Sequence, residues 1–341
     1  MRNFAFDTAT TVKEAAAAAT LACEAMLAPD GGASDPETTI VKAGGIDLLD
    51  LMKEGLLAPA RVTRLAGVGG LSAIEPQDGG GLRIGALVTL ARLASDENVR
   101  KVYPALADAA ANSASPEIRN AATLGGNLLQ RPRCWYFRAA QHRCLRKGGG
   151  HCYAIDGENQ YNAIFDNRFC AIVHPSTSAT ALVALGAEVE LGDEDGATRR
   201  LALEDFFVGP DKDVQRENDL RPREILTAVL LPSAAGLRTA HLKLSQKLSF
   251  DWPLVDVAVA LDLGPDGACR RASIVLGAVA PTPRRARAAE DALVGKIVDA
   301  QSAAAAGRAA LEGATPLSKN AYKAPMLEAL VRRAALQAAR A

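Results

Sequence analysis

Two short stretches decide how this chain folds: AGGIDLL, residues 43–49, and TLGGNLL, residues 123–129. Each places two glycines behind a small or apolar residue and follows them with a polar Asp47 or Asn127. Glycine admits positive φ and lets a ligand approach the backbone, and successive N–H groups in such a turn form a concave nest for phosphate oxygens. A helix starting near Asp47 adds the positive end of its dipole to the same anion. Neither stretch matches GxGxxG or GxxxxGKS/T, which argues against the common dinucleotide and P-loop sites. A Gly-Gly pair by itself is usually only a turn. Two of them, far apart in sequence, suit a ligand with a long diphosphate spine held between two lobes.

Working outward, an alanine-rich helix is expected from Thr11 to Leu27, ending in the loop LAPDGGASDPE, and a strand from Thr39 to Lys42 leads into the first glycine turn. RVTRLAGV, LSAIEPQ and GLRIGAL read as three strands, the last two joined through Gly79, Gly80 and Gly81, and a helical stretch capped by Thr89 follows. From Asn120 to His174 the pattern is irregular. Helix, strand, turn and strand then resume, ILTAVLLP gives a further strand, and the loop Ser233 to Gly236 marks a domain boundary. Beyond it lie an alternating β-rich block and two or three alanine-rich helices with basic outer faces. No internal repeat is present.

The 341 residues carry 39 basic and 39 acidic side chains, so no global field points to nucleic acid or an anionic membrane. The length predicts two or three lobes. The N-terminal segment reads as having no signal peptide, and no apolar run approaches the roughly 20 residues needed to span a bilayer, so a soluble chain is expected. Four of the six cysteines fall in the irregular zone, spaced Cys134-x9-Cys144-x7-Cys152-x17-Cys170. A disulfide pair, a zinc site, an iron–sulfur cluster and ordinary buried thiols are all candidates. A reducing compartment disfavours disulfides, and the absence of CxxC knuckles weakens zinc. Thiolates from separate turns of one loop can still converge on an iron–sulfur cube, and Arg131, Arg133, Arg138, Arg143, Arg146 and Lys147 offset thiolate charge. Cys23 and Cys269 read as structural. The four histidines are scattered and form no hydrolytic or HExxH pattern, so no catalytic residue is assigned; His142 and His151 are candidates for tuning the cysteine site. Trp135, Tyr136 and Phe137 read as packing anchors, and Arg284, Arg285, Arg332 and Arg333 as a solvated face or subunit contact.

AGGIDLLDLMK followed by IRNAATLGGNLLQR resembles the flavin subunit, or medium chain, of the molybdenum hydroxylases of the xanthine dehydrogenase and carbon monoxide dehydrogenase family. The similarity continues through GLRIGALVTLARLA, HPSTSATALVALGAEV, SIVLGAVAPTPRRA and NAYKAPMLEALVRRA, nearly the whole chain. The resemblance implies an α+β architecture: a two-lobed FAD-binding domain like that of vanillyl-alcohol oxidase (the PCMH type), followed by a C-terminal α+β domain of the CO dehydrogenase flavoprotein type. The expected layout is lobe 1 over 1–58, lobe 2 over 59–232 with an inserted segment at about 130–173, and the C-terminal domain over 238–341. It also implies FAD contacts at Ala43, Gly44, Gly45, Ile46, Asp47, Leu48 and Leu49, at Asn120, Thr123, Gly125, Gly126, Asn127 and Leu128, and at Thr177, Ile225 and Lys247.

A subset of such subunits, of the aldehyde oxidoreductase and 4-hydroxybenzoyl-CoA reductase types, carries a 4Fe-4S loop directly after the second glycine motif. GGNLLQRPRCWYF and FCAIVHPS bracket the cysteines in that position. The resemblance, closest to the periplasmic aldehyde oxidoreductase type, therefore implies Cys134, Cys144, Cys152 and Cys170 as cluster ligands. It implies as partners a large subunit binding molybdopterin and a small subunit with two 2Fe-2S clusters. The chain would serve as an electron-transfer subunit, cytoplasmic or exported to the periplasm on a partner's signal. A stand-alone flavin oxidase and a metal-stapled scaffold without redox activity are the rival readings. Two departures stand out. Ile46 occupies a position usually held by Thr or Ser, removing a hydroxyl from the phosphate turn, and the HPSD motif reads His174-Pro175-Ser176-Thr177, replacing a carboxylate with a hydroxyl.

Overall fold

The computed structural model describes residues 2–20 and 38–341. The first lobe is built from β1 (Ala5–Thr8), α1 (Val12–Ala18), β2 (Thr39–Lys42), α2 (Ile46–Lys53) and β3 (Arg61–Arg64). Its three strands are parallel in the order β1-β3-β2. Strand β3 reads R-V-T-R with its two inner residues buried and its arginines at the ends exposed. It lies past the expected lobe boundary at residue 58, yet it is the middle strand of this sheet, because β1 and β2 have no partner without it. Thr11 caps α1 by accepting from the Glu14 N–H. The remainder of the expected helix to Leu27, with Cys23, lies outside the described residues.

The second lobe contains β4 (Ile74–Pro76), β5 (Leu82–Gly85), α3 (Leu90–Ser95), α4 (Glu97–Val102), α5 (Pro104–Ala111), α6 (Pro116–Ala121), α7 (Leu124–Leu128), α8 (Trp135–Arg138), α9 (Tyr153–Asp156), α10 (Thr177–Ala184), β6 (Glu188–Asp193), β7 (Thr198–Ala202), α11 (Leu203–Phe206) and β8 (Glu224–Leu231). Its antiparallel sheet runs β4-β5-β8-β6-β7. EILTAVLL of β8 is buried at every position, as a central strand requires. The long helical stretch after Thr89 breaks into three, because Asp96 ends α3 and caps α4, and Pro104 opens α5 at the position where its missing N–H costs nothing. Leu90, Leu93, Leu106, Leu182 and Val229 join one core between sheet and helices, each worth roughly 2 kcal/mol of burial.

The C-terminal domain holds β9 (Leu237–Leu244), β10 (Val255–Leu263), β11 (Cys269–Gly277), β12 (Arg284–Arg285), α12 (Arg287–Leu293), α13 (Ala300–Ala309) and α14 (Lys323–Arg340). Its sheet is antiparallel in the order β12-β11-β10-β9 and packs its own core against the three helices. Cys269 is buried in that core, as expected of a structural thiol.

The irregular zone between α7 and α10 bridges these units. Phe137 and Cys144 enter the first-lobe core beside Ile40, Leu51 and Val62. At its other end, Asn320 donates to the carbonyls of Asn162 and Ala163, and Lys323 to those of Tyr161 and Ala278. Among the described residues no helix is long and apolar enough to cross a membrane.

Candidate functional site

The two glycine turns meet. A Cβ placed on Gly44 would lie 2.9 Å from the Ala121 carbonyl carbon and closer still to its oxygen, and one on Gly125 would meet Ala86 at 2.9 Å. Only hydrogen at Gly44 lets the first turn lie against the backbone that leads into the second, and only hydrogen at Gly125 lets the second turn lie against Ala86. Gly45 has φ 83° and caps α2 without a side-chain bond, so the first N–H groups of that helix are left for a ligand. In the second turn the Thr123 hydroxyl accepts from the Gly126 N–H.

Between the turns lies a cavity of about 660 Å³, within the range of cofactor pockets. All seven residues of the first turn line it, from Ala43 to Leu49, as do Thr123, Gly125, Gly126, Asn127, Thr177 and Ile225. Three expected contacts fall elsewhere. Asn120 is exposed at the end of α6, Leu128 points into the second-lobe core, and Lys247 is exposed on the loop after β9. Lys243, four residues earlier on β9, lines the cavity instead, with Nζ donating to the Asp251 and Asn112 carbonyls. The Thr177 hydroxyl is engaged with Ser113 at 2.8 Å and with the Ala109 carbonyl.

Lys42 also lines the cavity, a contact that motif reading missed although the sequence carries a signal for it, a lysine two residues before the first glycine. Its Nζ lies 3.4 Å from the carbonyls of Ala43 and Gly44. Burial and the neighbouring Arg64 push its pKa down from the usual lysine range. Among the described residues no carboxylate pairs with this amine, which stands beside the first glycine turn.

The Asp47 side chain has a different employment from the phosphate turn. Its carboxylate accepts from the Arg131 N–H at 2.7 Å, from Arg138 at 2.6 Å and from Arg133. Burial pushes its pKa up against the pull of Arg138. Arg133 also lies over the Trp252 ring, which lines the cavity. Thus the first glycine turn is tied by one carboxylate to the segment that begins the cysteine zone.

Cys134, Cys144, Cys152 and Cys170 line a single small cavity of about 10 Å³. The first three each precede a helical turn: α8, the 3₁₀ turn Leu145–Lys147, and α9. Backbone N–H groups therefore reach the sulfurs: those of Tyr136 and Phe137 to Cys134, Lys147 to Cys144, Ala154 and Ala171 to Cys152, and Ile172 to Cys170. Asn162 adds its side-chain N–H to Cys134 at 3.7 Å. All five cysteines among the described residues are free thiols. The Cys152 thiol donates to Cys170 and lowers the Cys170 pKa against burial; burial raises Cys134 and Cys144.

No three His, Cys, Asp or Glu side chains among the described residues are arranged to hold one metal ion. The sulfurs stand around a space instead of meeting at a point. Four cysteine thiols are a donor set that serves tetrahedral zinc and iron–sulfur clusters alike. The space as it stands admits about one water, so a cube needs the loop to open outward. The cations expected near the thiols divide: Arg146 is in the cavity wall and Lys147 is close to Cys144, whereas Arg131, Arg133 and Arg138 serve Asp47 and Glu217, and Arg143 is exposed. His142 and His151 pack on Tyr153. Of the aromatic triplet, Phe137 is buried, Tyr136 stacks on Tyr153, and Trp135 stays half exposed. Arg284 pairs with Asp166 and Arg285 with Glu290.

Residues 4–234 match the family described as the FAD binding domain in molybdopterin dehydrogenase, and residues 240–338 the CO dehydrogenase flavoprotein C-terminal domain. The chain is 38% identical over 283 residues to the aldehyde oxidoreductase FAD-binding subunit PaoB of Escherichia coli K12, covering 82% of this chain and 85% of that protein. The chain belongs to the FAD-binding medium subunits of the xanthine dehydrogenase and CO dehydrogenase family. This medium subunit is also 29% identical to the carbon monoxide dehydrogenase medium chain of Afipia carboxidovorans, over 75% of its length and 72% of that chain. The crystal structure of quinoline 2-oxidoreductase from Pseudomonas putida 86 superposes with a TM-score of 0.74 at 26% identity, covering 99% and 98% of the two chains. The medium subunit is thus an oxidoreductase flavoprotein of the α+β architecture expected from its motifs.

Proposed function

We propose that this medium subunit holds FAD in the cavity between its glycine turns and a 4Fe-4S cluster on Cys134, Cys144, Cys152 and Cys170, within a complex that oxidises an aldehyde. In that complex a large subunit binds molybdopterin and a small subunit carries 2Fe-2S clusters, and electrons leave through this chain to an external acceptor. Bound FAD supplies the ability to exchange electrons singly or in pairs. This chain's own residues bind and orient it: the backbone of Gly44, Gly45 and the N-terminus of α2 meets the diphosphate, Lys42 adds charge, and Thr123, Gly125, Gly126 and Asn127 face it from the second lobe.

The layout follows the family: a first lobe, a second lobe interrupted by the cluster loop at about 130–173, and a C-terminal domain from about 238. The complex works in the cytoplasm, or in the periplasm where a partner carries the export signal. The aldehyde substrate rests on the name of the 38% identical relative.

The observation that carries the cluster half is that four cysteines from four separate turns line one cavity with N–H donors to every sulfur. The test is an anaerobic visible and EPR spectrum with iron and FAD quantified, on the purified protein and on Cys144→Ser. The expected result is FAD in both and about four irons per chain only in the unaltered protein. Flavin without iron overturns the cluster, and protein free of flavin overturns the whole reading.

A further inference from the structure

The cavity between the glycine turns is lined by aliphatic, small, polar and charged side chains, with two exceptions. Phe250 and Trp252 are the only aromatic rings among its described lining residues, and both stand on the loop between β9 and β10, in the C-terminal domain. Both are open to the outside, Trp252 being 48% exposed and Phe250 67%. The loop is nonetheless braced. The Asp251 carboxylate accepts from the Lys247 and Trp252 N–H groups at 2.9 Å, and the Asp251 carbonyl accepts from Lys243 at 2.6 Å. Phe250 holds φ 51°, a left-handed conformation that a bulky residue keeps only where its surroundings fix it. Arg133 lies over the Trp252 ring, its guanidinium carbon 4.7 Å from the centroid. That guanidinium is tied in turn to the Asp47 carboxylate of the first glycine turn and to Gln130 Oε1 at 3.2 Å. One face of the indole is therefore covered, the ring is fixed relative to the phosphate nest, and about half of a large aromatic surface stays uncovered on the cavity wall.

We propose that Trp252 stacks on the isoalloxazine ring of FAD, so that a loop of the C-terminal domain orients the flavin while the first lobe holds the diphosphate. The inference rests on the FAD reading above. Flat aromatic systems gain by offset stacking beyond the area they bury, and a tricyclic ring finds no aromatic partner on the cavity wall outside this loop. The first-lobe wall, with Ile40, Leu57 and Leu65, offers only aliphatic contact. A ring that exchanges electrons with other centres has to lie within reach of the surface, and the exposure of Trp252 and Phe250 marks where the cavity opens. Binding and orientation of this kind are what a protein contributes to a cofactor whose chemistry is its own.

The experiment strips FAD from the purified full-length chain and titrates it with FAD, riboflavin and ADP, comparing Trp252→Ala and Trp252→Phe with the unaltered protein by calorimetry and by the emission of the bound flavin. Trp252→Ala is expected to weaken FAD and riboflavin by about tenfold and to leave ADP unchanged. A stacked indole quenches flavin emission and a phenyl ring does not. Trp252→Phe should therefore keep FAD affinity within about twofold while the bound flavin becomes brighter, a change that a merely structural role would not produce. Loss of ADP with riboflavin unchanged would place the indole on the adenine and overturn the proposal, as would FAD and riboflavin affinities unmoved in Trp252→Ala. If Trp252→Ala weakens all three ligands alike or fails to fold, Trp252→Phe decides: brighter flavin supports the stack and unchanged emission overturns it. Unaltered protein that binds no FAD overturns the FAD reading instead, which separates the two failures.

Discussion

Replacing Gly44 with alanine tests whether the two glycine turns form one cofactor site. The added Cβ would lie 2.9 Å from the Ala121 carbonyl carbon and 3.2 Å from the Ala122 Cα, against ordinary contact from 3.4 Å. Backbone atoms on both sides must therefore separate by at least half an ångström, and no flexible side chain can give way. Overpacking of this kind costs about 1–3 kcal/mol. Here the strain falls on the walls of the 660 Å³ cavity, so it is expected as a loss of FAD affinity of about 5- to 150-fold. The assay is reconstitution of apoprotein with FAD, followed by quenching of flavin fluorescence. Gly69→Ala serves as the control, since a Cβ there meets nothing within 4 Å. If Gly44→Ala, folded to the same degree as the control, binds FAD within about twofold of it, the two turns do not share a ligand and the reasoning fails.

Three further outcomes are expected. Lys42→Met should weaken binding of FAD and of ADP by about tenfold, a loss worth about 1.4 kcal/mol, and leave riboflavin unaffected; equal loss for all three would place Lys42 away from the diphosphate. Asp47→Asn leaves Arg133 and Arg138 without their shared counter-charge and should lower unfolding stability by about 3 kcal/mol, read by denaturant titration. Burial depresses the Lys323 amine from 10.5 to about 7. The unfolded chain therefore binds more protons than the folded one between those values, and stability should rise with pH across that window. Lys323→Met should flatten the rise, and an unchanged pH profile would show that Lys323 is not the group responsible.

The parts of the site legible in the sequence were those whose constraint is local. Gly44, Gly45, Gly125 and Gly126 announced close backbone approach, and the order of the cysteines after TLGGNLLQ suggested one loop. Thr89 read correctly as the start of a helix because capping depends on a few neighbouring residues, whereas the break at Pro104 was not read. Long-range partners were not legible. Nothing near AGGIDLL indicates that the Asp47 carboxylate turns away toward arginines in the cysteine zone. The expected contact at Lys247 lies past the end of β9 at Leu244, whereas Lys243 on the strand lines the cavity. The glycine motif and the strand pattern both stop short of that distinction. Strand β3 was recognised as a strand, but its place between β1 and β2 was not legible, since sheet membership is set by partners distant in sequence.

Joined together, these long-range contacts link the two sites. Asp47, on the first helical turn after the phosphate nest, binds Arg131 through its backbone N–H. Arg131 binds Glu217, Glu217 binds Arg146, and Arg146 lines one cavity with Cys170. Arg133 and Arg138 flank Cys134 and return to Asp47. Every link up to Arg146 is an ion pair or a charge-assisted hydrogen bond with at least one buried member, so moving one end changes the electrostatic environment of the next. A movement of Arg146 at the cysteine cavity acts through Glu217 on Arg131 and on the first glycine turn. Coupling of this kind is reciprocal: iron loading should tighten FAD binding by the same factor that FAD tightens retention of iron. Asp47→Ala cuts the link at its first member without touching a cysteine or a glycine. In that variant FAD affinity measured with and without iron should become equal, and a persistent difference would mean that the two sites communicate by another route.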